Sequence, residues 1–182
     1  KGVIHATRTG YYIYKFIDPN LDLLQNRTSV HHWVIMRYAE ILLSYAEAMN
    51  EAYGPTGNVG YRLNAVRALN QVRNRVGVEM PAVPTAISKE ELREKIRNER
   101  RVELAFEDHR FWDVRRWMIA EQEGVMSGAM YGIKIYWINS SPQEFRYTPY
   151  LYENRTFTKK MYLHPFSTNE VNKGYLIQNP GY

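Results

Sequence analysis

Two glutamates four residues apart, Glu99 and Glu103, are the first side chains in this sequence that could do chemistry. Projected on a helix, Leu92, Ile96, Glu99, Glu103 and Phe106 fall on one line, so two carboxylates interrupt an apolar stripe. A carboxylate pair at that spacing suits a retaining glycosidase. That chemistry requires one carboxyl to keep its proton, which burial away from positive charge would favour. The neighbourhood argues the opposite. Arg37 and Arg73 stand upstream, with Arg100, Arg110 and Arg116 close by, and they would hold both groups ionised. Ionised carboxylates are costly to bury unless paired. The residues therefore read as an ion-pair lattice fixing how helices pack, built from Arg37, Glu99, Arg100, Glu103, Arg110, Asp113 and Arg116. Asp113 lies three residues from both Arg110 and Arg116, the spacing for local pairing. No residue is assigned a catalytic role, and the chain does not read as an enzyme.

Other reactive constellations are missing from the sequence. There is no cysteine, and the five histidines show neither H-E-x-x-H nor E-x-x-H spacing, so no metal site or cofactor is expected. His31 and His32 would point to opposite faces of an extended chain. No serine stands beside a histidine in a nucleophile motif, and no glycine-rich loop follows a strand. The formal net charge is +5, but 24 basic and 19 acidic residues are largely interleaved, as in "SKEELREKIRNERRVELAFED". Interleaving leaves no basic stripe for a phosphate backbone, so nucleic acid is not an expected partner. No apolar run approaches the roughly 20 residues of a membrane span.

Aromatics offer a different chemistry. Sugars present flat C–H faces that stack on rings, while flanking amides bond their hydroxyls. The sequence is tyrosine-rich, with 15 Tyr and 4 Trp. In "YGIKIYWINSSPQ" the candidates are Tyr131, Tyr136, Trp137 and Asn139, with Asn154 and Arg155 as similar material. Alternatively, the tyrosines cover a helical layer at a half-wet boundary. Trp112 and Trp117 are poorer candidates, because their helix face is needed for packing.

The elements that must position these residues are mostly helical. Ile35, Ala39, Leu42, Ala46, Met49 and Tyr53 step by four and three, predicting a helix over about 34–53 that "YGPTGN" breaks. A second helix carries Leu63, Val66, Leu69, Val72 and Val76, with Gly77 at the C-terminal cap position. The pair reads as a helical hairpin like one tetratricopeptide unit. Ser88 and Glu91 form a capping box opening a third helix to about Asp108, and a fourth spans about Arg110–Glu123 with Phe111, Val114 and Met118 inward. Residues 1–33 suggest a strand or two feeding a polar loop. From Gly124 the texture predicts a meander of short strands, loops and a closing tail with a terminal turn at Pro180–Gly181. The opening "KGVIHATRTGYYIYKF" reads as the interior of a longer protein.

Four blocks in order, "IMRYAEILLSYAEAMNE", "ALNQVRNRVGV", "LREKIRNERRVELAFEDHRFWDVRRW" and "MYLHPFSTNEVNKGYLIQNPGY", resemble the C-terminal half of SusD/RagB-like proteins. The "GYYIYKFIDP" lead-in is also similar. One departure is "HPFSTNE", where the family usually shows Pro-Ile-Pro before the acidic residue. The resemblance implies a mainly α fold, with tetratricopeptide-like helix pairs supporting a loop-rich binding side. Residues 1–182 would form the C-terminal portion of one such domain, with 34–123 as helical scaffold and 124–182 as short strands, loops and closing tail. It implies a non-enzymatic glycan- or peptide-binding component of an outer-membrane uptake system. Such a component faces outward, is tethered by a lipid anchor upstream of this chain, and partners a SusC-like TonB-dependent transporter. The alternative from the residues alone is a tetratricopeptide-like scaffold that binds protein or peptide rather than carbohydrate.

Overall fold

The computed structural model describes residues 7–30 and 32–182. They fold mainly as helices, with five α-helices and one two-stranded sheet among the described residues. The chain divides into two compact units. One is Trp33–Asp113; the other is Val114–Tyr182 together with the described residues before Trp33.

The Trp33–Asp113 unit contains α1 (Tyr38–Tyr53), α2 (Ala65–Arg73), α3 (Lys89–Glu103) and the start of α4 (His109–Arg116). α1 packs against both α2 and α3. The stripe Leu42, Ala46 and Met49 meets Val66, Leu69 and Val72 of α2 and Leu92 and Ile96 of α3 in one buried core. Ala46 and Ala68 are fully buried, their small side chains suiting close approach of the helices. The helix starts are written in local chemistry. Asn64 caps α2 by accepting the Arg67 N–H at 2.9 Å. The capping box at α3 forms as the spacing predicts: Ser88 Oγ accepts the Glu91 N–H at 3.2 Å, and Glu91 accepts the Ser88 N–H at 3.0 Å. Asn70 exchanges two hydrogen bonds with the backbone of Val83, at 2.8 and 2.9 Å, fastening the loop before α3 onto α2.

Several predicted helices are shorter in the structure. α1 begins at Tyr38, leaving Ile35 86% exposed, and Tyr53 also faces solvent. α2 ends at Arg73 because the chain turns back through Gly77 (φ +82°) and Glu79 (φ +47°), leaving Val76 95% exposed. α3 stops at Glu103, and Phe106 and Asp108 both take φ +62° in the turn that follows. α4 is only His109–Arg116; of the expected inward residues Val114 is buried, while Phe111 and Met118 are not.

The second unit holds β1 (Gly128–Ser140) and β2 (Gln143–Arg155), one long antiparallel hairpin where short strands were expected. Alternating aromatic and β-branched residues favour extended chain, and Ser141-Pro142, joined by a cis peptide, makes the two-residue turn. A small core of Val114, Ala120 and Phe157 packs with Ile119, Met126, Met161 and Tyr162. The tail folds back through α5 (Thr168–Val171). Gln178 then bonds both backbone groups of Phe166 at 2.9 Å, and Gly181 accepts the Lys160 Nζ at 3.2 Å. No strand forms among the described residues before Trp33, although the Ile133 N–H on the outer edge of β1 donates to Thr9 O at 2.8 Å. The remainder of that predicted segment, residues 1–6 and His31, lies outside the described residues. No described helix is long and apolar enough to cross a membrane.

Candidate ligand-binding surface

The hairpin register sorts the predicted binding residues. Tyr131 faces Leu151, Ile133 faces Pro149, Ile135 faces Tyr147 and Trp137 faces Phe145 across the strands. Successive side chains alternate, so these eight share one face, which carries no charged group. Trp137, Tyr131 and Tyr147 are its most exposed rings, Trp137 at 67%. The other face holds the pairs Gly132–Tyr150, Lys134–Thr148 and Tyr136–Arg146.

The structure therefore puts Tyr131 and Trp137 on one face, at its two ends, and Tyr136 on the opposite side. Asn139 follows a bulge and serves the turn: its Nδ2 donates to Ser141 O at 3.2 Å, while its backbone carbonyl accepts the Trp137 Nε1–H at 2.5 Å. That hydrogen bond orients the indole. Phe145, Tyr147 and Leu151 complete the uncharged face and were not among the predicted residues. Their signal was the alternation in "QEFRYTPYLYENR", legible once that stretch is taken as a strand. Of the similar material, Asn154 pairs opposite Ala129, and Arg155 bonds Glu153.

On the second face, Tyr150 packs over Gly132, which leaves no room for a Cβ beneath the ring, and its hydroxyl donates to Arg8 O. Lys134 Nζ lies 5.0 Å from the centre of the Tyr150 ring, and the Arg146 guanidinium lies 5.1 Å from that of Tyr136.

In the helical unit the acidic residues meet arginines. Glu99 bonds Arg73, whose Nε and second terminal nitrogen also reach Pro81 O at 3.0 and 2.9 Å. Glu103 receives Arg37, and Arg75 at 2.7 Å. Arg37 also grips Glu107 with two hydrogen bonds, at 2.8 and 2.9 Å. Burial alone would lower the pKa of Arg37, but the hydrogen bonds it donates to Glu107 and Glu103, with the charges of those carboxylates, outweigh it and raise it. Arg100 donates to both oxygens of Asp113 and to Ser44 Oγ. Arg110 sits differently: burial depresses its pKa and the nearby Arg101 adds to this, with Asp113 opposing. The Arg116 guanidinium lies 4.8 Å from the centre of the Trp117 ring. Glu99 and Glu103 thus turn to different arginines. Neither lines the cavity of about 890 Å³ beside the first turns of α3, nor the one of about 330 Å³ between α1 and α2. Among the described residues, no three potential metal ligands gather.

A family model described as the SusD family matches residues 4–182. The chain belongs to the SusD family. It is 37% identical to a SusD-like protein of Bacteroides fragilis NCTC 9343 of known structure, with a TM-score of 0.66 over 84% of this chain and 26% of that one. A SusD-like carbohydrate-binding protein from Bacteroides vulgatus ATCC 8482 shares the fold at 24% identity, with a TM-score of 0.51 over 76% of this chain and 28% of that one. In sequence, the chain is 35% identical to SusD-like protein P2 of Formosa agariphila over 111 residues, which are 58% of this chain and 20% of that protein. It is equally identical to SusD-like protein P38 of the same organism over 89 residues, 46% of this chain and 16% of that protein. The chain thus spans about a fifth of the relatives it matches in sequence and about a quarter of those it matches in structure.

Proposed function

We propose that this chain is part of a non-enzymatic glycan-binding protein, and that the uncharged face of the β1–β2 hairpin is a saccharide platform. The observation that carries this reading is the exposed ring set Tyr131, Trp137 and Tyr147 on a face without charge, in a member of the SusD family. Flat, apolar sugar faces match such rings in polarity and shape. The two strands hold the rings in register, and the bond from Trp137 to Asn139 O fixes the indole before a ligand arrives.

Family membership supports the wider setting. In this proposal the protein stands on the outer-membrane surface on a lipid anchor outside this chain, and passes oligosaccharide to a SusC-like TonB-dependent transporter. Residues 1–182 contribute the C-terminal portion of a single SusD-like domain. The arginine–carboxylate pairs act as scaffold, and the rings as contact surface.

Calorimetric titration of the parent protein against neutral oligosaccharides tests the platform. Trp137→Ala should weaken binding at least tenfold with folding unchanged. Full retention of affinity would remove the hairpin from the ligand site, and absence of any saccharide binding would end the reading.

A further inference from the structure

The second face of the hairpin differs from the first in charge. Lys134 and Arg146 stand there one register step apart, on opposite strands, both exposed. Diagonal neighbours of this kind are about 7–8 Å apart at their Cα atoms. Neither cation has an ion-pair partner among the described residues. Arg37, Arg73, Arg93, Arg100 and Arg155, by contrast, all meet carboxylates. Each of the two leans on a tyrosine ring instead, Lys134 on Tyr150 and Arg146 on Tyr136. A ring beneath the stem restricts where the charged head can go, so less rotamer freedom remains to be lost when an anion binds. Thr148, directly opposite Lys134 and two residues from Arg146 along β2, adds a hydroxyl that can donate or accept on the same face. The one carboxylate nearby on this strand face, Glu144, pairs with Asn139 in register at the turn and makes no ion pair with Arg146.

We propose that this face binds acidic saccharides, with Lys134 and Arg146 receiving the carboxylate or sulfate groups of an anionic glycan. Arg146 supplies a planar fork that donates two parallel hydrogen bonds to either group, and Lys134 a compact point charge. Glu144 repels the same groups and confines the preference to the inner part of the ribbon. That the anion is carried on a sugar rests on the saccharide reading above; that the face takes anions does not.

Affinity electrophoresis of the parent protein in gels containing polygalacturonate, dextran sulfate or neutral pullulan tests this. Retardation is expected in at least one polyanion, weakening at least tenfold in the Lys134→Gln/Arg146→Gln double variant. It should be largely kept in Lys134→Arg and strengthened in Glu144→Gln. The two charged polymers separate carboxylate from sulfate. Retardation by the polyanions that is unchanged in the double variant would overturn the proposal, as would no retardation at low salt. Equal retardation by poly-glutamate would overturn its saccharide half. Polyanion binding kept in Trp137→Ala, with pullulan binding lost, would show two faces with separate ligands. Loss of pullulan binding with no effect on polyanions from any variant would leave only the neutral platform.

Discussion

Arg100 on α3 holds Asp113 on α4 in a two-pronged ion pair, Nε to Oδ2 at 2.9 Å and the second terminal nitrogen to Oδ1 at 3.1 Å, with both side chains 5% exposed. Removing one partner leaves the other charge buried. Asp113→Asn or Arg100→Met should therefore cost about 3–5 kcal/mol, read as a shifted urea midpoint of the parent protein. The double variant Arg100→Met/Asp113→Leu should recover most of that loss, since a well-packed apolar pair can replace a buried ion pair without penalty. A double variant as unstable as either single one would contradict this account.

The start of α3 makes a second, smaller prediction. Ser88→Ala removes the acceptor for the Glu91 N–H and should cost about 1 kcal/mol. Ser88→Asn should retain most of the stability. Hydrogen exchange over the first turn of α3 reads the difference directly, since fraying should be confined there.

Gly10 is a steric prediction. Its φ of +77° suits glycine, and an added Cβ would fall 1.9 Å from the Ile133 carbonyl oxygen. Gly10→Ala should push residues 8–10 off the edge of β1 and break the bond from the Ile133 N–H to Thr9 O. Faster amide exchange at Ile133, with Tyr131 and Trp137 unaltered, is the expected outcome.

A pH dependence follows from Glu51 on α1. Hydrogen bonds from Arg93, at 2.6 and 2.7 Å, hold its carboxyl below the ordinary value, against a smaller opposing effect of burial. The folded form then loses its proton more readily than the unfolded one. Its stabilising contribution is full above the unfolded value, about 4.3, and is lost as pH falls through the folded one. The pair is substantially exposed, so the effect is small and screened by salt. Glu51→Gln should flatten the acid limb of the stability curve slightly at low ionic strength and leave it unaltered at high.

The sequence made the helical unit largely legible, because its core follows helix periodicity and its caps are local. Leu42, Ala46 and Met49 step correctly, and Ser88 with Glu91 marks the start of α3. The helix ends were less legible, because distant contacts set them. α1 starts at Tyr38 after Arg37, which sits at the cap with no side-chain capping bond and reaches instead to Glu103 and Glu107, 66 and 70 residues away. Nothing within four residues of Arg37 announces that. On the hairpin, the residue types were legible and their sides were not. In a loop, adjacent Tyr136 and Trp137 are equivalent; in a strand they face opposite ways. Asn139 offers an amide for sugar hydroxyls by residue type alone, and its role in bonding the turn at Ser141 is visible only in the fold.

The alternation in β1 also has a consequence for how such a protein diversifies. Neighbouring codons from 131 to 137 encode two separate surfaces, so selection on one can act while the other stays fixed. Exchanging Trp137 for another ring would retune one side, and exchanging Tyr136 or Lys134 the other, with the backbone ladder untouched. A two-stranded ribbon thereby carries two independently variable faces on one short stretch of chain.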